Sequence, residues 1–184
     1  TGLRSRPFGI NEEDFHLLNG RKKMITKMPV RLLTLSMLDL RHRHVFWDIG
    51  FCTGSVSIEA KMQFPHLKII AFEQREEGKE LMEINSRKFG TPGITSIIGN
   101  FMEADLSDLP APDAVFIGGK EFSLRSSASN FSLDDIKEAV EFAHAHHAAI
   151  HVTCNIILHE DNLEGLEDYL LKLDEIGVDA IIVA

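Results

Sequence analysis

The stretch FWDIGFCTGSVSIEA, residues 46–60, decides the fold of this chain. It begins as an apolar run typical of a buried strand, passes through a glycine-containing turn, and continues as a helix from Ser55. A turn between a strand and a helix presents backbone N–H groups, and glycine lets a ligand approach the backbone closely. The stretch therefore predicts a parallel α/β sheet with a cofactor-binding loop at residues 50–54.

Strand-like and helix-like segments alternate along the rest of the chain. Predicted strands cover residues 44–50, 67–73, 93–100, 113–119, 148–156 and 179–184. Predicted helices cover residues 29–40, 55–64, 75–90, 132–147 and 163–177, and residues 1–28 show no regular pattern. This alternation predicts a three-layer sandwich in which helices cover both faces of a mainly parallel sheet.

Several predicted helices carry terminal signals. Pro29 fits a first helical turn, and Gly90 and Gly177 fit positions just beyond helix C-termini. Ser132, followed three residues later by Asp135, predicts a start that resembles a capping box.

Length and composition are those of a globular α/β domain. The chain has 184 residues, of which 44% are hydrophobic and 26% charged, and no segment is apolar enough to span a bilayer. Its two cysteines cannot form a disulfide framework and fit a reducing cytoplasm. Because the chain begins with Thr rather than Met, we expect it to be part of a longer protein.

Charge is distributed unevenly along the chain. The net charge of −9 argues against broad nucleic-acid binding. Residues 1–31 are nevertheless +4 and the remainder −13, because three acidic side chains there are outnumbered by seven basic ones, Arg4, Arg6, Arg21, Lys22, Lys23, Lys27 and Arg31. A basic arm on an acidic body suits a small polyanionic ligand; a solvated basic terminus is the alternative.

Loops of this kind bind two classes of cofactor, dinucleotides and S-adenosylmethionine. A dinucleotide loop favours Gly-x-Gly-x-x-Gly, and here Cys52 stands in place of the second glycine. The spacing of Asp48, Gly50 and Gly54 fits S-adenosylmethionine better, because that cofactor has no pyrophosphate. Glu73 ends the next strand, where a carboxylate is placed to accept hydrogen bonds from ribose hydroxyls. A tight turn without any ligand is the remaining alternative.

Four segments in order resemble the decarboxylating precorrin methyltransferases of cobalamin biosynthesis, of the precorrin-6Y C5,15-methyltransferase C-terminal domain type. They are MITKMPVRLLTLSMLDL (24–40), VFWDIGFCTGSVSIEA (45–60), AFEQREE (71–77) and APDAVFIGG (111–119). The resemblance covers about residues 8–119. It implies a class I methyltransferase fold, S-adenosylmethionine as the cofactor, and a tetrapyrrole substrate whose methylation is coupled to decarboxylation.

The resemblance also implies roles for individual residues. It implies a cofactor site formed by Asp48, Gly50, Cys52, Thr53, Gly54, Glu73 and Asn100. Glu73 would bind the ribose, and Asn100, where the family often has Asp, would lie near the adenine. Cys52 in place of glycine reduces the clearance beside the cofactor.

The expected substrate site lies before the first helix. Thr26 and Lys27 match the family's Thr-Lys pair, and the resemblance implies that they lie near the tetrapyrrole. That substrate carries many carboxylates, which a basic N-terminal arm would bind. No catalytic residue is assigned. A homo-oligomer and an upstream methyltransferase domain in the full-length protein stay open, as does the particular precorrin.

Residues 113–184 are instead similar to the opening part of the collagenase-like peptidase family, some of whose members act in RNA hydroxylation. The two families share a strand ending in Gly-Gly, so we expect the change of family near residues 113–120. Residues 132–184 supply helix, strand, helix and strand in the order that a methyltransferase sheet needs, without the usual final antiparallel strand. We therefore expect a single domain over residues 1–184.

Three functions stay open on the sequence alone. They are a precorrin methyltransferase, a degenerate domain that binds the cofactor without turnover, and a fragment of a peptidase-like or RNA-hydroxylation protein. A metal site is not expected, because no further ligand completes the histidine run formed by His144, His146 and His147.

Overall fold

The structure, a computed structural model, describes residues 8–18, 24–118, 131–154 and 165–183. Its strands are β1 (Val45–Ile49), β2 (Lys68–Glu73), β3 (Ile94–Ile98), β4 (Ala114–Gly118), β5 (Ala149–Cys154) and β6 (Ala180–Val183). Its α-helices are α1 (Met28–Met37), α2 (Ser55–Gln63), α3 (Glu77–Phe89), α4 (Leu133–Ala145) and α5 (Leu166–Ile176).

The six strands form one sheet in the order β3-β2-β1-β4-β5-β6, and each of its five strand pairings is parallel. The chain moves outward from β1 to β3, and then returns to place β4 on the other side of β1. In open α/β sheets, ligands bind beyond the carboxyl ends of the strands at such a reversal. Dinucleotide-binding sheets share this order, so the topology alone does not choose the cofactor.

Alternate residues of each strand face different helical layers. Phe46 of β1 packs in a cluster with residues of α1 and α2, whereas its neighbour Trp47 packs with residues of α4 and α5. A third cluster joins α2 and α3 on the same side as α1. The three-layer α/β sandwich predicted from the sequence is therefore confirmed.

The predicted helix termini are confirmed. Pro29 lies in the first turn of α1, and Gly90 and Gly177 end α3 and α5 in the left-handed conformation. The side chains of Ser132 and Asp135 form a complete capping box at α4.

Helix α1 is shorter than predicted, because it ends at Met37 rather than continuing to residue 40. Asp39 adopts the left-handed conformation at φ 49°, and a short 3₁₀ helix, Leu40–His42, follows it. The predicted start of α5 and the predicted end of β5 lie partly outside the described residues.

Residues 8–18 and 24–27, here called the N-terminal strap, pack across α2 and α3. The strap contains a 3₁₀ turn, Glu12–Asp14. The Glu12 carboxylate accepts a hydrogen bond from the Met28 N–H at 2.5 Å, and so caps α1 where Lys27 provides no side-chain cap. Burial raises the pKa of Glu12, but that hydrogen bond and the nearby charges of Lys27 and Arg31 outweigh it and lower the pKa.

A buried ion pair anchors the strap. Arg31 and Glu59 are both fully buried, and the Arg31 Nε donates to a Glu59 oxygen at 2.9 Å. The Glu59 carboxylate also accepts the backbone N–H groups of Gly9 and Ile10, and Arg31 donates to the carbonyls of Ile10 and Thr26.

Counting Arg31 among the side chains of a basic ligand-binding arm was therefore wrong, because Arg31 supports the fold instead. Five other residues of that arm, Arg4, Arg6, Arg21, Lys22 and Lys23, lie outside the described residues. In the described part of the chain, every helix is too short or too polar to cross a membrane.

Candidate cofactor-binding site

A cavity of about 240 Å³ lies at the carboxyl ends of the strands. It is lined by residues at the ends of β1, β2 and β4, by residues that follow β1, β2 and β3, by residues near the start of α4, and by Met24 of the strap. The described lining residues are Met24, Ile49, Gly50, Cys52, Phe72, Glu73, Gln74, Arg75, Gly99, Asn100, Phe101, Met102, Gly118, Phe131 and Asp135. This is the position at which a sheet of this topology binds its ligand.

The loop after β1 has an unusual backbone. Gly50, Cys52 and Gly54 have φ values of 83°, 51° and 75°, all in the left-handed region. Backbone hydrogen bonds from the N–H groups of Gly50 and Phe51 to the Phe72 carbonyl fix the start of the loop against β2. The loop is therefore held in a defined conformation rather than being a loose connection.

Cys52 occupies a backbone conformation that favours glycine, which accounts for the glycine expected at this position. Its side chain is 2% exposed, lines the cavity and donates from Sγ to the Met24 carbonyl at 3.1 Å. Cys52 thus connects the loop to the strap, and the reduced clearance beside a bound cofactor stays a prediction.

Glu73 joins the loop to the second strand. Its carboxylate, 3% exposed, accepts the Cys52 N–H at 2.9 Å through one oxygen. The other oxygen accepts from the backbone N–H and the guanidinium of Arg75 at 3.1 and 3.0 Å. Gly78 makes this arrangement sterically feasible, because a Cβ there would lie 2.6 Å from the Glu73 Cγ.

Three of the predicted cofactor residues, Asp48, Thr53 and Gly54, are not part of the described cavity wall. Asp48 is fully buried and accepts from the backbone N–H and the hydroxyl of Ser57, so it supports the start of α2. Thr53 is fully buried. Gly54 packs closely against α3, because a Cβ at this position would lie 2.6 Å from the Met82 sulfur. Gly50, Cys52, Glu73 and Asn100 do line the cavity.

Asn100 is exposed at the far side of the cavity. Its side-chain oxygen accepts the Met102 N–H, and its amide nitrogen donates to Glu103. The two predicted substrate residues lie in the strap. Thr26 is 2% exposed, and Lys27 is half-buried at the residue preceding α1. The assigned cofactor and substrate roles remain predictions.

Sequence reasoning missed much of the cavity wall. Gln74 and Arg75 follow β2, and Phe101 and Met102 follow β3, so their positions at carboxyl ends of strands were a usable signal. Asp135 gave no such signal, because a capping box was sufficient to explain its presence.

The parallel sheet, the glycine loop after β1 and the buried carboxylate ending β2 are features of Rossmann-like domains, the class that includes class I methyltransferases. Within that class, this chain belongs to the precorrin methyltransferase family: the family described as Precorrin methyltransferase domain matches residues 19–132. The resemblance inferred from the sequence motifs is thereby confirmed.

Two relatives illustrate the match. The chain is 39% identical over 118 residues to a decarboxylating precorrin-6Y C(5,15)-methyltransferase of Sinorhizobium sp, covering 64% of this chain and 28% of that protein. The crystal structure of precorrin-6Y C5,15-methyltransferase from Geobacter metallireducens GS-15 matches with a TM-score of 0.68 at 30% identity, covering 94% of this chain and 82% of that one.

The C-terminal resemblance is confirmed as well. The family described as Peptidase family U32 matches residues 110–184, which overlaps the first match. The tRNA hydroxylation protein P1 of Bacillus subtilis is 46% identical over 93 residues, covering 50% of this chain and 22% of that protein. The match therefore spans only about a quarter of the length of the Sinorhizobium methyltransferase and of the Bacillus subtilis hydroxylation protein.

Proposed function

We propose that this chain is an S-adenosylmethionine-dependent C-methyltransferase that acts on a precorrin tetrapyrrole and couples methylation to decarboxylation. The observation that carries this proposal is Glu73, a carboxylate buried in the cavity wall and bonded to a left-handed glycine loop. A carboxylate at this position is the acceptor that ribose hydroxyls require. The precorrin methyltransferases among the relatives supply the substrate class.

The residues present fit S-adenosylmethionine better than a dinucleotide. The Cys52 side chain occupies the position where a pyrophosphate would need a bare backbone. Among the described lining residues, Arg75 is the only cation, and it is already paired with Glu73. The described wall therefore favours a ligand that carries hydroxyl and amino groups over one that carries two phosphates.

Bound S-adenosylmethionine supplies an electrophilic methyl group on a sulfonium centre. Glu73 would accept hydrogen bonds from the ribose, and the Asn100 amide would bond the adenine edge. Phe72, Phe101 and Phe131 form an apolar part of the cavity wall and would help to exclude water around a bound cofactor. The contribution of these residues to rate would thus be orientation and exclusion of solvent.

The substrate would approach from the side of the strap. Lys27 is half-buried at the start of α1 and near the Glu12 carboxylate, so it is held close to the body of the protein. A tetrapyrrole polycarboxylate provides the anionic groups that a lysine at this position would bind. Loss of carbon dioxide from an acetate side chain leaves an electron pair, which the conjugated macrocycle can accept before the carbon is protonated.

Calorimetric titration with S-adenosylhomocysteine tests the cofactor site. The parent should bind, and Glu73→Gln should bind about 10- to 100-fold more weakly, because hydrogen bonds to a charged acceptor contribute about 1.5–3 kcal/mol. Gln retains the size of the side chain and an acceptor for the Cys52 N–H. Glu77→Gln, an exposed change in the first turn of α3, is the matched control and should bind like the parent.

The transfer reaction is tested separately. A methyl-labelled cofactor should pass its label to a precorrin with release of carbon dioxide. Absence of binding by the parent would reject the proposal, and equal binding by Glu73→Gln would move the ribose site elsewhere.

A cofactor-binding domain without turnover is the second candidate. It is favoured by one observation: the precorrin family match ends at residue 132, and β5 and β6 lie in the segment that matches the other family. This candidate predicts that S-adenosylhomocysteine binds while no label reaches the tetrapyrrole.

A further inference from the structure

Asn85 of α3 makes three side-chain hydrogen bonds to two distant parts of the backbone. Its side-chain oxygen accepts the His16 N–H at 2.8 Å, and its amide nitrogen donates to the His16 carbonyl at 3.0 Å. The same amide nitrogen donates to the Thr53 carbonyl, also at 3.0 Å. Asn85 is fully buried. One side chain thus binds the strap and the cofactor loop together.

The chemistry of these contacts requires a carboxamide. Two partners are carbonyl oxygens, which need N–H donors, and the third is an N–H group, which needs an acceptor. Asparagine provides both at the ends of one planar group, and the partners fix which end carries the oxygen. Aspartate would retain the acceptor but would present a carboxylate oxygen to both carbonyls.

The strap and the loop meet at a second contact as well. The Cys52 Sγ donates to the Met24 carbonyl, and both residues pack in a small cluster with Leu18 and Leu81. Met24 also lines the cavity. The strap, which also contains Thr26 and Lys27, therefore forms part of the wall that a bound ligand would touch.

We propose that Asn85 is a positioning residue that couples the cofactor loop to the N-terminal strap. Through it, occupation of the cavity stabilises the docked strap, and docking of the strap increases affinity for the ligand by the same factor. This inference rests on the proposed function for the identity of the ligand. The mechanical link between loop and strap does not depend on that identity.

The test compares Asn85→Asp and Asn85→Leu with Lys88→Ala. Lys88 lies on the same helix and donates to the Asp14 carbonyl, so it also holds the strap, but from an exposed position. Each protein is studied at a temperature at which circular dichroism shows it folded. Hydrogen exchange of residues 15–18 reports the strap, and the alkylation rate of Cys52 reports the loop.

Without ligand, both Asn85 variants should show faster exchange in the strap and faster alkylation of Cys52. Lys88→Ala should accelerate only the exchange. With saturating S-adenosylhomocysteine, exchange in the strap should slow several-fold in the parent and in Lys88→Ala, but not in the Asn85 variants. Their affinity should fall about 3- to 10-fold, the range for one or two neutral hydrogen bonds.

The two arms separate this inference from the proposed function. Failure of the parent to bind S-adenosylhomocysteine would reject the proposed function. The measurements without ligand would still show whether Asn85 connects the loop to the strap. Faster strap exchange with unchanged Cys52 alkylation in both Asn85 variants would overturn the inference, because the residue would then hold the strap alone.

Discussion

Residues 8–118 supply most of the described cavity wall and residues 131–183 supply little of it, but both regions contribute to the largest core cluster. The upstream region supplies thirteen of the fifteen described lining residues, and the downstream region supplies only Phe131 and Asp135. The largest core cluster is nevertheless shared, since Trp47 and Phe72 pack there with Ile150 and Leu173. Completing a sheet requires apolar residues at the right period, whereas building a site requires particular side chains at particular turns.

This division of roles explains how a C-terminal segment resembling another family is accommodated. Strand β5 pairs with β4 over five residues in parallel register, and β6 pairs with β5 over four. Those pairings use backbone groups, which every sequence provides. The single domain expected from the sequence stays a prediction, which the following measurements test.

The largest effect is expected from the upstream anchor. Glu59→Gln should lower the free energy of unfolding by about 3–5 kcal/mol, because it leaves the buried Arg31 without its partner charge. Chemical denaturation measures this loss. Glu80→Gln on the exposed face of α3 is the control and should change stability by less than about 0.5 kcal/mol. A small effect of Glu59→Gln would show that the strap is not anchored by this pair.

A downstream core change tests whether the two regions unfold together. Leu173 of α5 is fully buried, so Leu173→Ala should cost about 2–4 kcal/mol and shift one cooperative transition. Leu171→Ala, at a position 57% exposed, is the control. Two separate transitions, with only one moved by Leu173→Ala, would contradict a shared core, because the regions would then unfold independently.

A pH titration should show a smaller effect from β5. Burial lowers the pKa of His151 below its usual 6.5; Asp179 raises it and Arg43 lowers it further. The unfolded chain therefore binds a proton more readily, and stability should fall as the pH drops through 6.5 towards the folded pKa. Denaturation at pH 7.5 and pH 5 should show a steeper loss in the parent than in His151→Gln. Equal losses of stability in the two proteins would mean that protonation of His151 does not destabilise the fold.

The smallest effect is expected at Cys52. Cys52→Gly relieves the left-handed conformation but loses a buried thiol contact, so stability should change by no more than about 1 kcal/mol. Affinity for S-adenosylhomocysteine should equal or exceed that of the parent. Cys154→Ala is the control variant for affinity. In the parent, Cys154 should resist alkylation with and without ligand, since burial raises its pKa to about 12. Weaker binding by Cys52→Gly would show that the thiol itself supports the ligand.

The sequence predicted the order of elements because periodicity and capping are local properties. Ser132 and Asp135 are three residues apart, and Gly90 follows directly on α3. The anchors of the strap could not be predicted in this way. Arg31 and Glu59 are separated by 28 residues, and Asn85 and His16 by 69. Charge counting even assigned Arg31 to a ligand-binding arm, because burial is not visible in composition.

The aromatic residues behind the cavity have an optical consequence. Trp47 is the only tryptophan of the chain and is 1% exposed. Its ring centroid lies 5.2 Å from that of Phe72 and 6.2 Å from that of Phe101, and both phenylalanines line the cavity. The fluorescent indole of Trp47 therefore packs beside two aromatic rings that line the cavity. A ligand that moves those phenylalanines would change the emission, which allows occupancy to be followed without any label.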